Sequence, residues 1–263
     1  MRDIPDNNLA YPIFIKIDTG STGSGFFLNT GDKLYLVTAK HVLLDDKNVP
    51  KGKVAEIDCQ TGDINDDSFE RLQIDFSSAN IMAHASSDVA AIHVADIKEN
   101  TGKGNWIINY LNGVKQIIKA KSDTISVVAK TSTKKIKNVL ISNNVFLYGY
   151  PTSLGLRKSP QFDFSKPLLR KGIVANIYLP QGTIILDCPA FPGNSGGPVV
   201  EVEREGNTSH HKVIGVVSQF IPFVQDWVNK SNGLVNTEFT NSGYSVAVSI
   251  DKVFETIGFD SDK

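Results

Sequence analysis

The 263-residue sequence predicts an all-β fold. Three observations carry that expectation. Short apolar or β-branched runs recur along nearly the whole chain, Gly, Asn, Asp and Pro punctuate them, and helical periodicity is clear only near the end. Many short strands at near-regular spacing argue for barrels or a sandwich rather than a parallel α/β sheet. In chain order the expected strands are Ile13–Ile17, Gly25–Leu28, Leu34–Thr38, Val54–Cys59, Arg71–Ile74, Val89–Val94 and Ile125–Val128. They continue with Val139–Ile141, Val145–Tyr148, Gly172–Tyr178, Thr183–Leu186, Pro198–Val202, Val213–Gln219 and Tyr244–Val248.

One helix is expected after Ser249, with Ile250, Val253, Phe254 and Ile257 on one face and Gly258 as its terminator. Trp106–Lys119 carries a weaker helical pattern, interrupted by Gly113. The polar stretch Asp96–Asn105 is the expected connector between two halves. No internal repeat or low-complexity segment is visible.

The bulk numbers exclude several classes. Hydrophobic residues make up 41% and charged residues 21%, enough for a core without metals or cross-links. With 27 basic and 28 acidic residues the net charge is −1, which gives no electrostatic reason to expect nucleic acid or an anionic membrane as partner. The one compact basic run, Lys134-Lys135-Ile136-Lys137, is expected to be a solvated strand edge or loop. Two cysteines, Cys59 and Cys188, do not make a disulfide framework and are expected as buried free thiols. No apolar h-region opens the chain and no stretch is long enough to span a bilayer, so a soluble, cytoplasmic protein is expected.

The segment Phe191-Pro192-Gly193-Asn194-Ser195-Gly196-Gly197-Pro198-Val199 carries the strongest chemical signal. A serine among glycines at a sharp turn is exposed and approachable, and the turn can aim the Gly193 and Ser195 amides at a developing oxyanion. The same string fits a strand–turn–helix nucleophile elbow, Gly193-x-Ser195-x-Gly197. A strand-like sequence follows Ser195, however, and only His210 and His211 lie beyond it, in a polar loop-like stretch. That argues against the elbow.

The order His, Asp, Ser is well supplied. His41 follows the strand ending in Thr38 and can act as general base if it faces the serine. Asp88 precedes an apolar strand; such an aspartate is either a turn residue or the group that orients His41. His93 alternates with apolar neighbours and reads as structural, and His84 receives no role.

On Thr38–Val42, Asp88–Ile92 and Pro192–Val199 the chain resembles the trypsin-like, chymotrypsin-fold serine peptidases, in the disulfide-free bacterial style. Gly23–Phe27, Leu147–Pro151, Lys171–Val174 and Ile214–Ser218 support the resemblance as weaker pieces. It implies two antiparallel six-stranded β-barrels with a short C-terminal helix. Residues 1–120 would form the barrel carrying His41 and Asp88, and residues 121–263 the barrel carrying Ser195. It further implies a His41–Asp88–Ser195 triad, an oxyanion hole from Gly193 and Ser195, and a substrate pocket near Pro189, Ser218, Gln219 and Phe220. Pro189 offers no acid for a Lys or Arg side chain, and Phe220 would favour small or medium apolar ones.

One departure from the family pattern bears on activation. Asn194 stands where many secreted relatives have an aspartate paired to a newly released N-terminus, and an amide cannot make that ion pair. Activity without N-terminal processing is therefore expected. Val42 replaces a common cysteine, and Lys40 a common small residue. No metal or cofactor is implied; the expected partners are a protein or peptide substrate and a regulatory protein. The sequence runs only a few residues past the final helix, and no appended peptide-recognition domain is expected. A catalytically quiet peptide-binding protein and an enzyme acting on esters alone remain open alternatives.

Overall fold

A computed structural model describes residues 3–63, 66, 68–100, 105–121, 125–152, 161, 163–206 and 208–260. The first half contains β1 (Ile13–Ile17), β2 (Thr22–Asn29), β3 (Lys33–Thr38), the one-turn helix α1 (Lys40–Leu43), β4 (Val54–Gln60) and β5 (Phe69–Asp75). It continues with β6 (Ile81–Ala83), β7 (Ala90–Asn100), β8 (Asn105–Tyr110), β9 (Val114–Ile118) and β10 (Val128–Ala129). The second half contains β11 (Asn144–Gly149), β12 (Leu168–Tyr178), β13 (Thr183–Asp187), β14 (Pro198–Glu205), β15 (Thr208–Val228), β16 (Val235–Ser249) and the helix α2 (Ile250–Ile257).

The all-β, two-sheet class is the one expected. β11–β16 form a closed six-stranded barrel in the order β11-β12-β13-β16-β15-β14. The first sheet has ten strands instead of six, along the path β6-β7-β3-β2-β1-β4-β5-β9 with β8 on β7 and β10 on β2. Its two sides are brought together by β8 and β9: β8 pairs with β7, β9 pairs with β5, and the turn between them is fixed by Leu111 N–H to Val94 O at 3.0 Å.

Alternation explains the strands. In β1, Ile13, Ile15 and Ile17 are buried while Phe14 and Lys16 are less so, the period-two pattern of a half-buried strand. Their cluster fills the first sheet, and a second cluster around Leu147, Val174, Ile184, Leu186 and Ile214 fills the closed barrel. A third packs Phe26, Val37 and Ala91 against Tyr148, Val200 and Val216, with Val253 and Phe254 of α2. This last core joins the halves.

Several expectations are corrected. Trp106–Lys119 is not helical but supplies β8 and β9, and Gly113, at φ +85°, makes the turn between them. Asp96–Asn105 is not a connector between halves: β7 and β8 pair across it, with residues 101–104 outside those described. Val139–Ile141 is not a strand, and of Ile125–Val128 only Val128 enters one. Lys134 is not solvated. Its ammonium donates to Glu201 at 2.6 Å and to Glu203, and Glu201 is fully buried. The other Glu201 oxygen accepts from Leu140 N–H and Asn143 Nδ2, so the buried charge is fully partnered. α2 ends at Gly258 as expected, but the hydroxyl of Ser249 makes no capping bond. Both cysteines are free and buried.

Beyond Phe220, β15 and β16 continue as a two-stranded arm with no third strand beside it among the described residues, and Phe223, Trp227, Leu234 and Phe239 on it are exposed. Among the described residues no helix is long and apolar enough to cross a membrane.

Candidate active site

Strand register brings His41 and Asp88 together. Thr38, at the end of β3, pairs with Ala90, at the start of antiparallel β7, so the residues just beyond each strand end meet. His41 lies on α1 and Asp88 in the turn before β7. The Asp88 carboxylate takes both faces of that residue: His41 Nδ1 lies 2.8 Å from Oδ2, and the His41 backbone N–H donates to Oδ1 at 3.0 Å. The Ser218 hydroxyl donates to the same Oδ2 at 2.6 Å. Burial works against the Asp88 charge, but the bond from the His41 ring and the charge that ring carries when protonated, with the bonds from Ser218 and the His41 amide, outweigh it. The carboxyl is held below its ordinary value of 3.8. An ionised Asp88 accepts from Nδ1–H, which leaves the His41 Nε2 lone pair free to take a proton.

Ser195 sits between two positive-φ glycines, Gly193 at +99° and Gly196 at +89°. A Cβ on Gly196 would lie 2.0 Å from Ser24 O and 2.1 Å from Thr38 Oγ1, so only glycine lets this loop seat against β2 and β3. Phe191–Asn194 is a tight turn with proline second and glycine third, closed by Asn194 N–H to Phe191 O at 2.9 Å. Asn194 is buried, and its Oδ1 accepts from Phe191 N–H at 3.0 Å. Its amide therefore braces the turn from within. Pro192 O accepts from Thr152 N–H at 3.1 Å, and in a trans peptide the Gly193 N–H points the opposite way. Among the described residues neither the Gly193 nor the Ser195 amide has a protein acceptor.

The sequence reading missed Ser24. It is fully buried on β2 and spans the two halves: its N–H donates to Ser195 O at 2.8 Å and its hydroxyl to Gly193 O at 2.7 Å. That hydroxyl also accepts from Tyr150 N–H at 2.9 Å, and Ser24 O accepts from Thr38 Oγ1 at 2.7 Å. The signal was present in Gly23-Ser24-Gly25, where a small polar residue is flanked by two positions that admit no side chain. A Cβ on Gly23 would meet Val42 at 2.7 Å, and one on Gly25 would meet Val37 O at 2.7 Å.

His41, Asp88 and Ser195 line one cleft of about 920 Å³, together with Ser218, Gln219 and Phe220. Pro189 is half-buried and does not line it; Ala190 and Phe191 do. The Ser195 hydroxyl donates to Ser218 O at 3.1 Å and not to His41. Burial lifts the Cys59 thiol well above 9.0 and Cys188 to about 11, so neither is a competing nucleophile. His93 stacks on Tyr35 at 5.1 Å, away from this chemistry. Among the described residues no group of His, Cys, Asp and Glu converges as a metal site.

Two sheets with a His, an Asp and a glycine-flanked Ser on one cleft define a peptidase-type architecture. The sequence profile of the trypsin-like peptidase domain matches residues 23–215, and the chain belongs to that family. Solved structures agree at the level of fold. The serine endoprotease from Yersinia pestis aligns with a TM-score of 0.53 at 13% identity, over 97% of this chain and 66% of its own. The HtrA-type protease AlgW with tripeptide aligns at 0.51 and 14% identity, over 97% of this chain and 63% of its own. The chain thus spans under two thirds of the length of these structures. Among curated proteins none matches the sequence.

Proposed function

We propose that this trypsin-like peptidase is a serine endopeptidase that cleaves peptide bonds through an acyl-enzyme. The observation that carries the reading is the His41 ring, held by Asp88 at 2.8 Å in the same cleft as Ser195. For the reaction the Ser195 hydroxyl leaves the Ser218 carbonyl and turns its proton to His41 Nε2. His41 then removes the proton as Ser195 attacks the substrate carbonyl, and returns it to the leaving amine. The unpaired Gly193 and Ser195 amides receive the oxyanion. Water, activated by His41, releases the acyl group. Ser218, Gln219 and Phe220 line the specificity pocket, with Ala190 replacing Pro189 at its wall. The Asn194–Phe191 bond holds the turn without a released N-terminus, which supports activity in the unprocessed chain.

One observation favours a second reading, a catalytically quiet peptide-binding protein: the Ser195 hydroxyl is engaged with Ser218 O instead of His41. A fluorophosphonate probe separates the two. The endopeptidase is labelled at Ser195, loses labelling in Ser195→Ala and His41→Ala, and cleaves a peptide library. A folded chain that binds peptides without labelling or cleavage refutes the enzymatic reading. Labelling with ester turnover but no peptide cleavage would restrict it to esters.

A further inference from the structure

The turn that carries Asp88 is built around a second histidine. His84 Nδ1 lies 2.9 Å from the Ser87 N–H and 3.2 Å from the Ser86 N–H, and its backbone N–H donates to Val89 O at 3.0 Å. An imidazole nitrogen that receives two amide N–H groups must present its lone pair, so the ring proton sits on Nε2. That nitrogen is 3.0 Å from Glu255 Oε2 on α2, and the His84 side chain is only 11% exposed. The ring thus ties the Asp88 turn to the C-terminal helix.

We infer that His84 is a positioning residue whose neutral, Nε2-protonated ring splints the Asp88 turn, and that a proton on Nδ1 releases it. The inference rests on the proposed roles of His41 and Asp88. A protonated Nδ1 would point an N–H at two N–H dipoles, so proton binding and the splinted turn exclude each other. Among the described residues, Glu255 meets the ring and pairs with Lys252 on α2, Lys40 on α1 donates to the His84 backbone O at 3.1 Å, and Asp88 lies four residues on along the turn. Glu255 favours the protonated ring, and the two turn amides oppose it. A proton on Nδ1 therefore withdraws the support of the aspartate that orients His41.

Full-length wild type, His84→Ala and His84→Asn are compared by peptide kcat and KM and by fluorophosphonate inactivation rate from about pH 4.5 to 8, the window in which imidazoles titrate. Asparagine carries an acceptor oxygen at the same bond distance from Cα as Nδ1 and does not titrate. Because a displacement of about 1 Å can cost on the order of 100-fold, His84→Ala lowers kcat by roughly 10- to 100-fold with KM little changed. His84→Asn recovers most of that loss. The wild-type acid limb of kcat/KM steepens towards second order in protons, and the asparagine variant shows a first-order limb. Nitrogen-15 histidine spectra of the full chain read the Nε2–H tautomer at His84 directly. A first-order wild-type limb, an asparagine variant as slow as alanine, or an Nδ1–H tautomer at His84 overturns the inference. If no variant, wild type included, labels or cleaves, the peptidase reading has failed and the spectra alone decide. His84→Ala must then shift or broaden the downfield His41 Nδ1–H resonance that reports its bond to Asp88, and an unchanged resonance overturns the positioning role.

Discussion

Replacing Ser24 by alanine deletes a single oxygen that two distant segments share. The oxygen is buried, donates to Gly193 O at 2.7 Å and accepts from Tyr150 N–H at 2.9 Å. Alanine leaves a buried carbonyl and a buried N–H without partners. At about 1–3 kcal/mol for each orphaned group, partly relieved by relaxation, the loss should be about 2–4 kcal/mol. The backbone bond to Ser195 O at 2.8 Å does not depend on the side chain, so β2 stays in place. The Gly193 carbonyl is freed, and with it the orientation of the turn that carries the proposed oxyanion donor. Because losing one such donor costs on the order of 100-fold or more, and a loosened one less, fluorophosphonate labelling should slow by about 10-fold. The assay is denaturant unfolding, read as a midpoint shift at constant slope, with labelling rates measured on the folded fraction of the same samples. A variant within about 0.5 kcal/mol of wild type that labels at the wild-type rate would refute the reasoning, since surface-like tolerance is incompatible with two orphaned buried groups.

Two other perturbations test separate parts of the structure. Asp88 titrates below its ordinary value, so its pairing with His41 is present above that value and is lost as pH falls through the lowered one. Ser218→Ala removes one hydrogen-bond donor to the carboxylate, moves its titration back towards 3.8, and makes the pairing fail at a higher pH. Carboxyl titration by NMR checks this, and an unmoved Asp88 would contradict it. Lys134→Met strands the buried Glu201 carboxylate and should destabilise by about 3–5 kcal/mol, with Glu201→Gln in the same chain recovering part of it. Unfolding midpoints measure both, and a neutral Lys134→Met would show that the pair contributes nothing.

What could be read from the sequence was what local pattern encodes. β1 shows its three buried isoleucines in strict alternation, and the glycines around Ser195 announce a loop that other residues could not make. β8 and β9 were illegible because Trp106, Ile107, Ile108 and Ile117 are largely exposed, so no single buried face imposes a period of two. The long arm of β15 and β16 escaped for the same reason. Lys134 looked like part of a solvated run because its partner, Glu201, lies far along the chain, and no local pattern records a pairing of that kind. Ser24 was hidden among small residues that resemble strand filler, although its value to the site comes from hydrogen bonds to residues in the other half. His84 was visible, but its role depends on a contact with α2 that spacing does not encode.

The stretch joining the halves has its own consequence. β10 lies parallel against β2, Thr133 bridges Val213, Lys134 N–H donates to Val213 O at 3.0 Å, and its ammonium reaches Glu201. A tether laced down on both sides cannot serve as a hinge. Relative motion of the two halves would have to break these bonds, so under the proposed function a polypeptide meets Ser195 in the cleft as it stands, the one that His41 and Asp88 also line.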